Sequence, residues 1–320
     1  DLQWADVDND NDLDVLVTGD TGSEAITKLY INASGTFTLD TTFTGLYNSA
    51  AAWGDYNNDG YVDLLINGYT GSSFTTKVFT NSSTVFTELS TNLQGVNKGT
   101  ADWIDYDNDG DLDILITGAT DSIAVVKIYT NTNGVFTEDQ TAISNMSGVS
   151  ESSVALGDYD KDGDSDILLS GNTGTSVITK LYRNDSGNYT GSGISFTGVK
   201  NGSSAWGDYD SDGDLDIIIT GDDGSSKITK IYQNSSGAFS DISASLTGVD
   251  LSSSRWGDLD NDGDLDLILS GSTGSASITK RYKNSSGVFT EASDSFEAIS
   301  SGEVWPVDYD SDGDLDIFLT

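Results

Sequence analysis

Short runs of apolar, β-branched and aromatic residues alternate along the whole chain with turns rich in Gly, Asn, Ser and Asp. Between residues 204 and 242 these runs predict strands at Ser204–Tyr209, Leu215–Thr220, Lys227–Gln233 and Ala238–Ile242. No segment has the 3.6-residue periodicity of an amphipathic helix, and the single Pro leaves strand pairing almost uninterrupted. The pattern predicts an all-β fold.

The pattern is a repeat of about 50 residues. An acidic segment, DYDNDGDLD at Asp105–Asp113, recurs with small changes, and each copy is followed by an apolar run, a Thr-Lys-x-Tyr-x-Asn phrase and a short Phe-containing stretch. Four strands, which we name A to D, at such a period are typical of a β-propeller blade. We therefore expect one domain, residues 1–320, forming a seven-bladed β-propeller of four-stranded blades. The repeat units run over about 4–52, 53–102, 103–155, 156–205, 206–255, 256–304 and 305–320.

The last unit is partial, because its sequence supplies strands A and B alone. We expect the last blade to be incomplete in this chain and the natural protein to continue beyond at least one end. An open array of small β units is the alternative architecture, but separate four-stranded sheets would leave apolar faces exposed that ring closure buries.

Tryptophan marks the end of strand A in six of the seven units. We expect these rings to pack between adjacent blades, and stacking on a sugar is the alternative. Trp305 lies one residue farther from its acidic segment than the others, which predicts a local distortion there. The six residues are Trp4, Trp53, Trp103, Trp206, Trp256 and Trp305.

The acidic segments have the composition of metal-binding loops. Their pattern, D-x-D-x-D-G-x-x-D, places carboxylate or amide oxygens at positions 1, 3, 5 and 9, and Gly at position 6 permits a sharp turn. Hard oxygen ligands without nitrogen or sulfur select Ca²⁺. Position 7 would contribute its backbone carbonyl, and Asp at position 9 would close the site through both oxygens. An EF-hand would need Glu at position 12, where these loops have apolar residues such as Leu115.

About seven Ca²⁺ ions are therefore predicted, each between strands A and B of one unit. The alternative, acidic turns that only solvate hairpins, does not require Asp or Asn at five alternating positions. Asn11 replaces Gly in the first loop, and Asn57 and Tyr61 stand at positions 3 and 7 of the second. The predicted ligands at positions 1, 3, 5 and 9 are Asp6, Asp8, Asp10 and Asp14; Asp55, Asn57, Asp59 and Asp63; Asp105, Asp107, Asp109 and Asp113; Asp158, Asp160, Asp162 and Asp166; Asp208, Asp210, Asp212 and Asp216; Asp258, Asp260, Asp262 and Asp266; and Asp308, Asp310, Asp312 and Asp316. The predicted carbonyl ligands at position 7 are those of Asp12, Tyr61, Asp111, Asp164, Asp214, Asp264 and Asp314.

The charge of the chain follows from these loops. They hold 33 of the 52 acidic residues, five in each of six loops and three in the second, and the formal net charge is −38. Such a chain lacks the cationic surface that nucleic acid requires, and no apolar run is long enough to insert into a membrane. Without Cys or His it also lacks disulfides, thiolate sites, a Ser-His-Asp triad and His-ligated zinc.

The motifs DYDNDGDLDI and DYDSDGDLDI, with their five relatives that each open a strand, resemble the FG-GAP/VCBS repeats. The resemblance covers essentially the whole chain. It implies an integrin-α-type, seven-bladed propeller with Ca²⁺ in each loop between strands A and B, held by positions 1, 3, 5 and 9. Trp-Gly-Asp stands where the family has its Phe-Gly and Gly-Ala-Pro motifs, so the chain looks closer to bacterial VCBS-type repeats than to animal integrins.

Three other repeated features are interpreted as structural. A Lys in strand C, as at Lys127, predicts an ion pair or stem packing, and the aromatic residue two positions later predicts packing between sheets. Asn-x-Ser sequons lie in the C–D turn, where Asn and Ser serve turn geometry. The sequon residues are Asn32, Asn81, Asn184, Asn234 and Asn284.

The composition and the resemblance together predict a binding module and not an enzyme. The leading hypothesis is a calcium-stabilised, secreted or cell-surface adhesion module, part of a longer protein, whose ligand is an extracellular protein or a glycan. The ligand would meet the face opposite the calcium loops, where the units differ most. A lectin-like carbohydrate-binding propeller and a structural spacer of a surface protein or filament are the alternatives, and a polysaccharide lyase is disfavoured because no asymmetric cluster of catalytic groups stands out.

Overall fold

The computed structural model describes residues 1–121, 123–310 and 312–320, and these ranges contain strands and no helix. They form six four-stranded antiparallel sheets and one two-stranded sheet, with the strands of each sheet in chain order. Within the described ranges we find no helical segment with the length and apolar character needed to cross a bilayer. The fold is therefore all-β and built of four-stranded blades of the β-propeller kind.

Blades 1 to 3 occupy the first half of the chain. Blade 1 consists of β1 (Leu2–Ala5), β2 (Asp14–Asp20), β3 (Ala25–Ala33) and β4 (Thr36–Thr42). Blade 2 consists of β5 (Tyr47–Gly54), β6 (Asp63–Tyr69), β7 (Phe74–Ser82) and β8 (Val85–Glu88). Blade 3 consists of β9 (Ala101–Ile104), β10 (Asp113–Thr120), β11 (Ile123–Thr132) and β12 (Val135–Glu138).

Blades 4 to 6 and the two-stranded sheet follow. Blade 4 consists of β13 (Ser150–Gly157), β14 (Asp166–Asn172), β15 (Val177–Asn184) and β16 (Tyr189–Gly191). Blade 5 consists of β17 (Ser204–Gly207), β18 (Asp216–Asp222), β19 (Lys227–Ser235) and β20 (Ala238–Asp241). Blade 6 consists of β21 (Asp250–Gly257), β22 (Asp266–Ser272), β23 (Ser277–Ser285) and β24 (Val288–Glu291), and the last sheet pairs β25 (Val304–Val307) with β26 (Asp316–Leu319).

The described part of the structure has six blades where seven were predicted, the last of them expected to be incomplete. The described residues form six four-stranded blades, because residues 305–320 supply strands A and B alone. The last sheet also carries the predicted local shift: Pro306 pairs with Ile317, whereas in blade 6 Trp256 holds that place opposite Leu267. The four strands predicted in blade 5 are confirmed to within two residues at each end.

The contacts divide the chain into two compact units. Unit 1 comprises residues 1–150 and 184–190, and unit 2 comprises residues 151–183 and 191–320. Within each unit the central strand B is buried on both faces, as at Ile114–Ile116 and Ile217–Ile219, whose side chains have no solvent exposure. Hydrophobic clusters join the B strands of adjacent blades, so each blade completes the core of its neighbour.

Three Trp residues at the end of strand A, Trp103, Trp206 and Trp256, pack between adjacent blades, as predicted. Trp103 of blade 3 lies parallel to Tyr56 of blade 2, with ring centroids 5.6 Å apart, and its Nε1 donates to the Ala52 carbonyl at 3.2 Å. In unit 2, Trp206 stacks in the same way on Tyr159. The alternative of a row of exposed sugar-stacking rings does not fit these positions, because both rings are half-buried and each is stacked on a tyrosine.

The connections between strands D and A share an unusual backbone conformation. Asn48, Lys98, Glu151, Asn201 and Leu251 occupy equivalent positions, and each has a φ between 44° and 54°. Their amides link neighbouring blades: Lys98 N donates to Asn48 O in unit 1, and Leu251 N donates to Asn201 O at 2.6 Å in unit 2. Side chains at this position therefore project from a backbone that is fixed by hydrogen bonds.

Candidate metal centre

Each acidic loop connects strands A and B, and its own carboxylates shape it. In the third loop the Asp105 carboxylate at position 1 accepts hydrogen bonds from Asp109 N and Gly110 N, both at 3.1 Å. The same pair of bonds recurs at position 1 of the first, second, fourth, sixth and seventh loops. Gly110 has a φ of +91°, so the turn requires a residue that tolerates the left-handed region. Asn11 takes that role in the first loop with a φ of 75°.

Position 9 lies beneath the loop at the first residue of strand B. Asp113 has no solvent exposure, and its Oδ1 accepts from Asn131 N at 2.6 Å, while its Oδ2 accepts from Tyr106 N at 3.3 Å. Burial raises the pKa of Asp113 to about 7, and nearby Asp107 and Asp109 add to the rise while the two amides oppose it. One oxygen is thus held by strand C and the other faces the loop, so closure through both oxygens stays a prediction.

The same position is equally buried in other loops. Asp63 and Asp216 also have no solvent exposure, and burial, as the largest cause, raises the pKa of each to about 7. Asp14 follows with a pKa raised to about 6 for the same reason. A carboxyl group held under these conditions is costly to ionise unless a positive charge lies beside it.

The loops bring three carboxylates together at one point. In each of the following groups one oxygen per residue lies within 4.8 Å of the others. Positions 1, 3 and 5 meet in the first and sixth loops, and positions 1, 3 and 9 meet in the third, fourth and fifth. The five groups are Asp6, Asp8 and Asp10; Asp105, Asp107 and Asp113; Asp158, Asp160 and Asp166; Asp208, Asp210 and Asp216; and Asp258, Asp260 and Asp262.

Some oxygens of these converging carboxylates are buried without any hydrogen-bond partner in the described part of the chain. At position 3 these are the Oδ1 atoms of Asp107, Asp160 and Asp260, and at position 1 the Oδ1 of Asp208. An unsatisfied, buried carboxylate oxygen is destabilising, and a hard cation bound by oxygen would remove that cost. The residues present therefore fit Ca²⁺, whereas the sequence has no His or Cys to bind a softer metal.

The carboxylate at position 7 makes different contacts from those at positions 1, 3, 5 and 9. Asp214 Oδ2 accepts from Ser236 N of the C–D turn at 2.7 Å, and Asp12 and Asp264 make the same contact with their own turns. This contact shows that the A–B loop and the C–D turn lie on the same side of a blade. A ligand from position 7 would have to be its carbonyl, as the sequence predicts, because the side chain is already used.

Position 7 also links neighbouring loops, which sequence reasoning missed. Asp111 Oδ1 accepts from Asn58 Nδ2 at 3.1 Å in unit 1, and Asp314 Oδ1 accepts from Asn261 Nδ2 at 2.5 Å in unit 2. Lys161 makes the corresponding contact with Asp214. These donors stand at position 4 and have positive φ, and an Asn or Lys directly before the Asp at position 5 was the available signal.

Contacts between strand C and the acidic loop were also missed by sequence reasoning. Arg183 and Lys283, in strand C, each form ion pairs with positions 3 and 5 of their own loop. Gln233, at the equivalent place in blade 5, donates to Asp210 Oδ2 at 2.5 Å. The available signal was the variation of the residue that precedes the repeated Asn of strand C.

The repeated Asn of strand C is structural. Asn81 has no solvent exposure; its Nδ2 donates to Val62 O and to Val7 O of the preceding blade, and its Oδ1 accepts from Thr84 N. The other four sequon residues are also fully buried. The predicted turn role is confirmed. Within the described ranges, the repeated Lys pairs with an acidic residue of strand D in four blades, as Lys77 does with Glu88 at 2.8 Å.

Comparison with known proteins supports the repeat assignment. The family model described as FG-GAP-like repeat matches residues 6–66, 105–169, 208–269 and 258–319, which together make up well over half of the chain. No curated protein matches the chain. Each matched segment begins at position 1 of an acidic loop and ends in strand B of the following repeat, so the family model covers the loops and blades described above. The chain belongs to the family of FG-GAP-like repeat proteins.

Proposed function

We propose that this protein is a calcium-stabilised recognition module of the extracellular space or cell surface, and part of a longer adhesive protein. The observation that carries the calcium claim is the set of buried, unpartnered carboxylate oxygens at Asp107, Asp160, Asp208 and Asp260. Each belongs to a group of three carboxylates whose oxygens approach within 4.8 Å. Like charges at such distances repel, and a divalent cation would turn that repulsion into a stabilising interaction.

Positions 1, 3, 5 and 9, with the carbonyl of position 7, would hold the ion in each loop. When bound, Ca²⁺ supplies positive charge that offsets the carboxylates and crosslinks the A–B loop to the start of strand B. The chain's own contribution is the shape of the loop, which hydrogen bonds from positions 5 and 6 to position 1 already establish.

The calcium affinity typical of such modules favours a calcium-rich compartment. Calcium-binding modules outside cells have dissociation constants of about 10⁻⁴–10⁻³ M, so millimolar calcium contributes roughly 0.4–1.4 kcal/mol per site. Seven such sites would contribute about 3–10 kcal/mol, which is comparable to the whole stability of a domain. At the submicromolar calcium of a cytosol the same sites would be empty and the protein would lose that stability.

The calcium claim is tested by titrating chelator-treated protein with CaCl₂ in a calorimeter and by thermal unfolding with CaCl₂, MgCl₂ or EGTA. We expect several ions per chain and a melting temperature that CaCl₂ raises much more than MgCl₂ does. A chain that binds no calcium, or that melts at the same temperature in CaCl₂ and EGTA, would refute the proposal.

Recognition is proposed for the side opposite the calcium loops. On that side the repeats differ in the side chains of their D–A connections, while the backbone of these connections keeps one conformation. Repeat proteins often carry binding residues at variable positions on a constant scaffold. The variable pairs are Tyr47-Asn48, Asn97-Lys98, Ser150-Glu151, Lys200-Asn201 and Asp250-Leu251.

A glycan is the second candidate ligand, and three aromatic rings of blade 2 favour it. The ring centroids of Tyr47 and Tyr69 are 6.5 Å apart, and those of Tyr69 and Phe74 are 5.3 Å apart. All three rings are partly exposed. Aromatic faces bind the apolar side of a sugar ring, and among equivalent positions this cluster occurs in blade 2 alone.

The two ligand classes are separated by a glycan array and by adhesion to protein-coated surfaces, each run with the Tyr47→Ala and Tyr69→Ala variants. Glycan binding that both variants abolish would favour the lectin-like function. Adhesion to protein that both variants retain would place recognition elsewhere on the variable side. Failure on every sugar and every protein would favour a structural spacer. We propose no catalytic role, since the candidate residues follow the repeat and, among the residues that the structure describes, no asymmetric group of acid and base stands apart from it.

A further inference from the structure

The loops of blades 3, 4 and 6 have the same five Asp residues but different neighbours in strand C. The position that precedes the repeated Asn faces the loop of its own blade. Its occupants in blades 1 to 6 are Ile31, Thr80, Thr130, Arg183, Gln233 and Lys283. The three residues of unit 1 that hold this place, in blades 1 to 3, are uncharged, whereas blades 4 and 6 place a cation there.

The two cations contact metal ligands directly. Arg183 Nε lies 3.1 Å from Asp160 Oδ2, and its Nη2 lies 3.3 Å from Asp162 Oδ2. In blade 6, Lys283 Nζ pairs with Asp260 Oδ2 and lies 3.1 Å from Asp262 Oδ2. Each cation therefore bridges positions 3 and 5 of one loop.

The threonines of unit 1 contact a different partner. Thr80 Oγ1 shares a hydrogen bond of 2.7 Å with Tyr56 OH, and Thr130 Oγ1 shares one of 2.6 Å with Tyr106 OH. Both tyrosines stand at position 2 of their loops. Blades 2 and 3 thus use this position to hold the tyrosine ring, and blades 4 and 6 use it to offset the charge of the loop.

The cations leave the site open. Arg183 and Lys283 take the Oδ2 atoms of Asp160 and Asp260, while the Oδ1 atom of each is buried without a hydrogen-bond partner. The position-3 carboxylate is therefore held by the cation through one oxygen, and its other oxygen remains available to a metal ion.

We propose that Arg183 and Lys283 are built-in counter-cations that lower the calcium affinity of loops 4 and 6 and stabilise these loops without calcium. The inference rests on the proposed calcium function and assigns to each loop its dependence on the ion. A fixed positive charge offsets one carboxylate in the metal-free loop and repels a divalent cation in the loaded one. At a separation of about 5 Å in water this repulsion corresponds to roughly a tenfold loss of affinity.

The test replaces both cations with the residue found in blades 2 and 3. In Arg183→Thr/Lys283→Thr we expect about two of the calcium sites to bind roughly tenfold more tightly in calorimetry. We also expect the melting temperature in EGTA to fall while the melting temperature in CaCl₂ is kept or raised. The matched control is Lys280→Thr, which removes a charge from the same strand but from a pair with exposed Glu291 instead of a loop.

The reverse variant guards against a double variant that does not fold. Thr130→Lys places a cation beside the loop of blade 3, and we expect one site to lose about tenfold in affinity while the protein becomes more stable in EGTA. Affinities and EGTA melting temperatures that change no more than in Lys280→Thr would overturn the inference. Wild-type protein that binds no calcium would refute the proposed function and with it the inference, whereas normal binding with unchanged variants would refute the inference alone.

Discussion

The loops of units 1 and 2 differ less in their ligands than in what surrounds them. Asp105–Asp113 in unit 1 and Asp258–Asp266 in unit 2 carry Asp at the same five positions. In unit 1 the adjoining strand offers Thr130, which bonds a tyrosine, and in unit 2 it offers Lys283, which pairs with two of the carboxylates. The same ligand pattern thus recurs in both units, while the strand beside the loop brings different side chains against it.

The residue that directly precedes the Trp of strand A also has different surroundings in the two units. Asp102 of unit 1 is largely buried, and its Oδ2 has no hydrogen-bond partner in the described residues. At the equivalent place unit 2 has Ala205 and Arg255, and Arg255 is paired with Glu303 at 3.1 Å and lies over the ring of Trp305. Unit 1 therefore tolerates an uncompensated charge where unit 2 has either a small residue or a compensated one.

Calcium removal should have the largest effect on stability, and the effect should differ between the loops of the two units. Chelation by EGTA is expected to cost about 3–10 kcal/mol of unfolding free energy in total. Amide hydrogen exchange measured by mass spectrometry should show residues 55–63 and 105–113 losing protection first. Residues 158–166 and 258–266 should lose less, because Arg183 and Lys283 offset part of their charge. Equal loss in all four loops would remove the contrast between the units.

Truncating the stacked Trp should cost nearly as much, but equally in both units. Trp103→Ala and Trp206→Ala each remove a ring that lies parallel to a tyrosine of the preceding blade. We expect each to lower the unfolding free energy by about 3–5 kcal/mol, as measured by urea denaturation in CaCl₂. Costs that differ by more than about 1 kcal/mol would show that the units differ in their cores as well as in their loops.

Replacing Asp102 with the Ala of other blades should stabilise unit 1 in a pH-dependent way. Burial raises the pKa of Asp102 to about 6, and a hydrogen bond from Thr100 opposes the rise. Because the folded protein then holds the proton more tightly than the unfolded chain, its stability falls as the pH rises from about 4 to about 6 and stays lower above that.

Asp102→Ala removes this loss. We expect a gain of about 1–3 kcal/mol over wild type at pH 7.5 and little or no gain at pH 4, from urea denaturation of both proteins at each pH. Ala205→Gly serves as a control of local packing without a titrating group. A gain that is the same at both values would mean that packing, and not the carboxylate, accounts for it.

The ion pairs between strands C and D should have the smallest effect. Lys77 pairs with Glu88 at 2.8 Å in unit 1, and Lys230 pairs with Asp241 at 3.0 Å in unit 2, both near the surface. Lys77→Thr and Lys230→Thr should each cost less than about 1 kcal/mol, and less still in high salt. A larger cost in one unit, measured by thermal unfolding at two salt concentrations, would extend the contrast beyond the loops.

The repeat made the strands and loops predictable. Turn residues bracket each strand of blade 5, and the missed ends have local causes: strand A stops at Gly207 because Asp208 begins the loop, and strand B extends to Asp222 because its ladder continues opposite Lys227. The described part of the structure has six complete blades where a seven-bladed propeller was predicted, because residues 305–320 add strands A and B without C and D, as the sequence of the last unit indicates.

The partners of the loops could not be predicted in the same way. Contact between Arg183 and Asp160 depends on how the C–D hairpin lies against the A–B loop, and contact between Asn58 and Asp111 depends on the spacing of neighbouring blades. Neither distance is encoded by the position of a residue within one strand. The buried state of Asn81 was equally hidden, since a sequon in a turn is ordinarily exposed.

The buried asparagines have a consequence for how the protein can be produced. Asn32, Asn81, Asn184, Asn234 and Asn284 are acceptor sites by sequence, and each is sealed within a blade. In a eukaryotic secretory pathway an oligosaccharide is attached to the nascent chain before the blade closes. A glycan on any of these nitrogens would displace the amide from its carbonyl partners and keep that blade from folding. A host without N-glycosylation should yield native protein, while a eukaryotic one should retain it in quality control.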